Sequence, residues 1–110
     1  MKIFFDQGTP APLRRVLKDH KVSTAYEMGW GELDNGKLLA AVETGFDLLV
    51  TTDKNLRHQQ RLAGRRLAIL ILPTTSWPEL WAHQTQIAAT INAWRPSDIV
   101  KMQIQRRFGA

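Results

Sequence analysis

Short apolar runs recur along the chain, each closed by a polar residue or a turn former, and they predict the strands of a sheet. The predicted strands are 2–5, 21–25, 47–50, 67–72 and 99–104. The fourth run is apolar throughout, which is typical of a strand that helices cover on both faces. The pattern therefore predicts about five short, buried strands.

Segments with apolar residues at helical spacing separate these strands. The predicted helices begin near Pro10, Asn35, Lys54 and Ser76. Thr9, Asn35 and Ser76 are the expected N-caps, and the last helix is expected to continue unbroken to Trp94. The alternation of strands and helices predicts one α/β domain over residues 1–110, a parallel sheet with helices on both faces. A basic tail, 105–110, follows the last strand.

Composition narrows the classes of function. The 110 residues include no cysteine, which excludes disulfides and thiolate metal sites, and no apolar stretch is long enough to cross a bilayer. No signal-peptide core follows Met1, so a cytoplasmic protein without a membrane partner is expected. The net charge of +5 favours an anionic partner, which could be nucleic acid, an acidic protein or an anionic membrane surface. The alternative is that the charge serves only solubility.

Two aspartates stand at the carboxyl ends of predicted strands, Asp6 after the first and Asp53 after the third. Ligands of open parallel sheets bind beyond these ends. Two carboxylates placed together repel each other unless a cation lies between them, and Mg²⁺ or Mn²⁺ prefers such oxygen ligands. The alternative is that Asp6 caps a turn and Asp53 caps the helix that follows it.

Basic side chains follow Asp53 at steps of three or four residues, which places them on one side of the predicted helix. They are Lys54, Arg57, His58, Arg61 and Arg65. Together they predict a cationic stripe about 15 Å long that could contact several phosphates of one nucleic-acid strand. The alternative is an ordinary solvated helix face.

Two stretches, KIFFDQGTP and NGKLLAAVETGFDLLVTTDKNL, resemble the short PIN-like (PilT N-terminus-like) domains, which are relatives of the VapC-type toxins. The resemblance covers roughly residues 1–72. It implies a parallel α/β fold and a ribonuclease that depends on Mg²⁺ or Mn²⁺. It also implies a toxin neutralised by an antitoxin-like protein partner. PIN-like toxins often pair as dimers, so a homodimer is a further expectation of the resemblance.

The family's acidic residues match this chain only in part. Asp6 matches the first family acid, and Asp53 matches the acid after the third strand. A further acid usually opens the middle helix; the apolar pair that follows places this position at Asn35, and a slip of one residue places it at Asp34. Asn55 stands where the family often has another acid, and the opening reads Asp-Gln-Gly where Asp-Glu-Asn is common.

The sequence thus favours a metal-dependent ribonuclease. Asp6, Asp53 and Asp34 are its predicted catalytic residues, and Asp6, Asp53 and Asn35 its predicted metal ligands. A catalytically inactive PIN-like module that binds RNA or protein is the alternative, which the asparagines at 35 and 55 favour. A receiver-like phosphoacceptor with Lys101 near the last strand is a third hypothesis, but the acidic pair expected after the first strand is missing.

Overall fold

The fold is built on one parallel sheet. The structure, a computed structural model, describes residues 1–56, 65–96 and 98–102. The strands are β1 (Lys2–Phe5), β2 (Lys21–Thr24), β3 (Leu48–Thr51), β4 (Ala68–Ile71) and β5 (Ile99–Lys101). They lie in the order β2-β1-β3-β4-β5, and every neighbouring pair is parallel. The predicted α/β class with five parallel strands is confirmed.

Helices connect the strands and cover the sheet. They are a 3₁₀ helix (Ala11–Val16), α1 (Ala25–Met28), α2 (Asn35–Gly45), α3 (Trp77–Ala82) and α4 (Gln84–Asn92). No helix in the described ranges is long and apolar enough to cross a membrane. Most of the helix predicted from Lys54, the end of the predicted last strand and the basic tail lie outside the described residues.

Alternate side chains of the strands enter two apolar layers, one on each face of the sheet. In the α2 layer, Phe4, Leu49 and Ile69 pack with Leu39 and Val42 of α2. The other layer joins the alternate strand residues to the 3₁₀ helix, α3 and α4. Its members include Ile3, Phe5, Val50, Leu70, Leu13, Leu80, Ile87 and Ile91. The continuously apolar strands follow from this burial on both faces.

Three local predictions are wrong. Thr9 does not cap the first helix, because its hydroxyl contacts Asp6 and the Val50 carbonyl, and Pro10 is the N-cap without a side-chain hydrogen bond. The N-cap of α2 is Asp34 rather than Asn35. The last helix is interrupted at His83, whose N–H donates to carbonyls of the preceding turn while α4 begins at the next residue.

Strand order also locates the cleft-forming edge of the sheet. The chain moves from β1 outward to β2 and then returns across β1 to form β3 on its other side. Such a reversal places successive connections on opposite faces, and open parallel sheets bind ligands where this happens, at the carboxyl ends of the two strands concerned. In this chain, those are the ends that carry Asp6 and Asp53.

Candidate active site at the carboxyl ends of β1 and β3

The register of the sheet brings Asp6 to Thr51. Phe5 of β1 pairs with Val50 of β3, and the Asp6 N–H continues the ladder by donating to the Val50 carbonyl at 3.1 Å. Asp6 and Thr51 are therefore the next pair in register. Because strand side chains alternate, both point to the same face as Phe4, the face that α2 covers.

Two hydroxyl groups hold the Asp6 carboxylate. Thr51 Oγ1 donates to Asp6 Oδ2, and Thr9 Oγ1 lies 2.7 Å from Asp6 Oδ1. The Thr9 hydroxyl also lies 3.0 Å from the Val50 carbonyl, so its single proton has two acceptors within reach. Burial raises the pKa of Asp6 above its ordinary value, although the hydrogen bonds from Thr51 and Thr9 oppose this effect.

Thr51 links the two aspartates. Its hydroxyl accepts a hydrogen bond from the Asp53 N–H at 3.0 Å while it donates to Asp6. The Asp53 carboxylate in turn accepts the Asn55 N–H through Oδ1 at 2.9 Å, in a local turn of the kind that aspartate favours. Only 1% of the Thr51 surface is exposed, so this link is shielded from competing water. The two predicted acids thus belong to one hydrogen-bonded cluster.

The start of α2 completes the cluster with Asn35. The Asn35 Nδ2 donates to Asp53 Oδ2 at 3.2 Å. Its neighbour Asp34 is exposed, and Asp34 Oδ1 instead accepts the Lys37 N–H at 2.9 Å as the N-cap of α2. The geometry therefore brings together three predicted site residues, Asp6, Asp53 and Asn35. The carboxylate of Asp34 caps α2 and makes no hydrogen bond to the other three residues in the described structure. Its catalytic role stays a prediction.

The loop after β1 approaches the loop after β3 closely. A Cβ atom added to Gly8 would lie 2.5 Å from Thr52 Oγ1, so a larger residue at this position would displace the threonine side chain. Glycine therefore lets the two loops lie in contact beside Asp6.

The cluster contains oxygen atoms of the kind that suit a hard divalent cation, from the carboxylates of Asp6 and Asp53 and the hydroxyls of Thr9 and Thr51. Asn35 presents its amide nitrogen to Asp53. The charge of the cluster is low for such a site. No group of three or more His, Cys, Asp or Glu side chains with metal-binding geometry occurs among the described residues. The cluster thus offers oxygen ligands of the type that a hard divalent cation prefers, but only two of them are carboxylates.

The predicted cationic stripe is described only at its two ends. Lys54 is exposed and directly follows Asp53. Arg65 precedes β4, toward the amino edge of the sheet, and forms an ion pair of 2.9 Å with Glu43. Arg57, His58 and Arg61 lie outside the described residues. Lys54 is thus the one predicted phosphate-binding residue that the described part of the chain places beside the aspartates.

Sequence reasoning gave Thr9 only a role as a helix N-cap and gave Thr51 no role. A threonine at the end of an apolar strand is ordinary, because threonine is common in strands. The register of β1 and β3 would have revealed the role of Thr51. When these strands are neighbours, Thr51 is the residue opposite Asp6. Strand order was needed to see this pairing.

Comparison of the chain with protein-family models, with curated proteins and with solved structures gave no significant match.

Proposed function

We propose that this protein is a metal-dependent ribonuclease of the PIN-like type, which hydrolyses RNA phosphodiesters at the carboxyl ends of β1 and β3. One observation carries the proposal. Asp6 and Asp53 meet at the switch point of a parallel sheet, joined through Thr51, and no cation among the described residues is paired with either carboxylate. Carboxylates grouped without a cationic partner suit a metal ion.

Each residue of the cluster has a definite task in this proposal. Asp6 and Asp53 supply the charged oxygens that would hold Mg²⁺ or Mn²⁺, with the amide of Asn35 beside them. A bound ion of this kind would polarise the phosphodiester and lower the pKa of the attacking water. The hydroxyl of Thr51 donates to the Asp6 carboxylate and accepts the Asp53 N–H, so it holds the backbone of Asp53 beside Asp6. Lys54 would bind the phosphate and stabilise the negative charge that develops on it.

A catalytically inactive binding module is the second candidate, and the contact between Asn35 and Asp53 favours it. The amide N–H donates to the carboxylate and so satisfies it without a metal. A neutral residue here also lowers the affinity expected for a divalent ion. The toxin role, an antitoxin-like partner and a homodimer remain predictions of the resemblance.

Titration calorimetry with Mn²⁺ separates the two candidates. For the ribonuclease, we expect binding with a Kd of about 10⁻³ M or tighter. Asp53→Asn should abolish this binding. Asp47→Asn, at the opposite edge of the sheet, is the matched control and should bind as the wild type does. Absence of binding in the folded wild-type protein would contradict the ribonuclease proposal and support the binding module.

Cleavage of an end-labelled RNA in Mn²⁺ is the second test. Asp6→Asn, purified in parallel by the same procedure, controls for contaminating ribonuclease. Cleavage by the wild type and none by the variant would support the proposal. Equal cleavage by both preparations would show that the activity does not come from this site.

A further inference from the structure

Tyr26 is an exposed aromatic side chain beside the candidate site. It is the second residue of α1, which begins directly after β2 at the carboxyl edge of the sheet. Its exposure is 92%, about twice that of Trp81, the next most exposed large hydrophobic side chain among the described residues at 47%. A tyrosine ring usually buries most of its apolar surface. Packing of the fold therefore does not account for this position.

Tyr26 and Gln7 line two adjoining clefts at this edge. The first cleft, of about 440 Å³, includes Asp6 and Thr24 in its lining. The second, also of about 440 Å³, includes Glu32. Each volume lies in the range of about 300–1,000 Å³ typical of sites for small molecules. A group bound against Tyr26 would therefore lie next to the carboxylate cluster.

Hydrogen bonds and an ion pair hold the short helix that carries Tyr26. Glu27 Oε1 accepts the Thr24 N–H at 2.9 Å, and Thr24 Oγ1 accepts the Glu27 N–H at 3.2 Å, which together form a capping box. The same carboxylate forms a two-point ion pair with Arg14, at 2.6 and 3.3 Å. Gly29 ends the helix at a φ of 72°. The ring is thus exposed on a backbone that is held in place.

The polar and charged residues that line the clefts indicate which chemical groups could bind there. No lysine or arginine is among the described residues that line either cleft, and both contain a carboxylate, Asp6 or Glu32. A phosphate would be repelled there, whereas an uncharged planar group would not. Gln7 offers both a donor and an acceptor. Its side chain lies against Gly31, where an added Cβ would be 3.3 Å from Gln7 Oε1.

We propose that Tyr26 is a stacking platform for an unpaired base of single-stranded RNA, and that Gln7 hydrogen-bonds to the edge of that base. Unpaired bases are commonly stacked on aromatic rings and hydrogen-bonded along their edges. This inference rests on the proposed function for its substrate class. It makes single-stranded RNA the substrate of the site, because bases stacked within a duplex cannot reach the ring.

Fluorescence anisotropy with a labelled oligoribonucleotide of about eight nucleotides tests this inference, with EDTA present so that metal binding plays no part. Tyr26→Leu, which removes the aromatic face, should weaken binding at least about fivefold, the lower end of what one stacked base contributes. Tyr26→Phe keeps the face and should bind like the wild type. Met28→Ala, an exposed position on the same helix, is the matched control.

The outcomes separate this inference from the proposed hydrolysis. Weaker single-strand binding by Tyr26→Leu, with duplex binding and salt dependence unchanged, supports the stacking site whether or not the RNA is cleaved in Mn²⁺. Unchanged single-strand binding by Tyr26→Leu overturns the stacking site and leaves the metal-dependent hydrolysis standing. A wild-type protein that binds no single-stranded RNA in EDTA also overturns the stacking site, and the cleavage assay in Mn²⁺ then decides the proposed hydrolysis by itself.

Discussion

The two edges of the sheet treat their aspartates differently. At the amino edge, Asp47 accepts the Lys2 N–H at 2.8 Å and lies 3.6 Å from the Arg66 guanidinium. At the carboxyl ends of β1 and β3, Asp6 and Asp53 receive hydrogen bonds from hydroxyl, amide and backbone groups, and no cation is paired with them among the described residues. Among the described residues, therefore, the aspartate at the amino edge has a cationic partner and the two at the carboxyl edge have none.

This difference separates acids that stabilise the fold from Asp6, whose burial has a cost in free energy. The amino edge also holds the ion pair between Glu43 and Arg65, so its carboxylates have both hydrogen bonds and opposite charge. Burial raises the pKa of Asp6 at the carboxyl edge, which means that the folded protein disfavours the charged form of this residue. Costly groups in a natural protein tend to mark function. The comparison therefore supports a ligand site at the carboxyl edge.

Neutralising an aspartate at each edge should produce opposite results, and this is the largest effect we expect. If the proposed function holds, Asp53→Asn should lower RNA cleavage at least about 100-fold, since a proposed metal ligand is lost. Asp47→Asn should leave cleavage unchanged but lower the free energy of unfolding by up to about 1 kcal/mol, because the ion pair with Arg66 is lost while the amide oxygen can still accept the Lys2 N–H. Initial cleavage rates and urea denaturation measure the two effects.

Asp6→Asn sharpens this test, because the hydrogen-bonded cluster can accept an amide. The amide oxygen can receive the Thr51 hydroxyl, and the amide nitrogen can donate to Thr9, which then donates to the Val50 carbonyl. Stability should be retained while cleavage is lost. A loss of both in Asp6→Asn, or a loss of cleavage in Asp47→Asn, would remove the distinction between the edges.

Thr51→Val tests the link between the two aspartates. The substitution keeps the shape of the buried side chain but leaves Asp6 Oδ2 without a donor and the Asp53 N–H without an acceptor. We expect the free energy of unfolding to fall by about 1–3 kcal/mol. Thr44→Val, which removes an exposed hydroxyl bonded to the Ala41 carbonyl at 2.7 Å, should change it by less than about 0.5 kcal/mol. Equal urea midpoints for the two variants would contradict the link.

Asn35→Asp adds the acid that the family usually has. Without metal, a third carboxylate beside Asp53 should lower the free energy of unfolding by up to about 1 kcal/mol through repulsion. Mn²⁺ should reverse this loss and bind more tightly than it does to the wild type. Asn55→Asp adds the same charge at an exposed position and should have a smaller effect. Thermal unfolding in EDTA and in Mn²⁺ measures both, and a loss that Mn²⁺ does not reverse would argue against a cation site.

The fold was largely predictable because its signals are local. Each strand is a short apolar run, and each run alternates between two buried layers, which is why β3 and β4 contain hardly any polar residue. The division of the last predicted helix at His83 was not predictable, because apolar residues continue at helical spacing on both sides of it. Periodicity identifies the buried face of a helix but not a break within it.

The placement of Asp6 and Asp53 at one edge of the sheet was predictable, whereas the residues around them were less so. Asp34 and Asn35 both cap helices well, so the sequence did not decide which of them faces the site. The backbone decides it: Asp34 is extended, with φ −68° and ψ 165°, and Asn35 is the first helical residue. Tyr26 gave no signal at all, since exposure of a single aromatic ring is a property of the folded chain.

The dependence of stability on pH should show the smallest contrast, between Asp6 and Glu27. Burial raises the pKa of Asp6, so its contribution to stability is present below the unfolded value near 3.8 and is lost as the pH rises through the folded value. The Arg14 hydrogen bond lowers the pKa of Glu27 to about 2, so its contribution is present above pH 4.5 and is lost as the pH falls toward 2.

Urea denaturation across this range should therefore show that Asp6→Asn removes a decline in stability on the alkaline side of pH 3.8. Glu27→Gln should instead remove a decline on the acid side of pH 4.5. If the stability of Asp6→Asn declined with rising pH as steeply as that of the wild type, the decline would not come from Asp6. The contrast between Asp6 and Asp47 would then rest on their contacts alone.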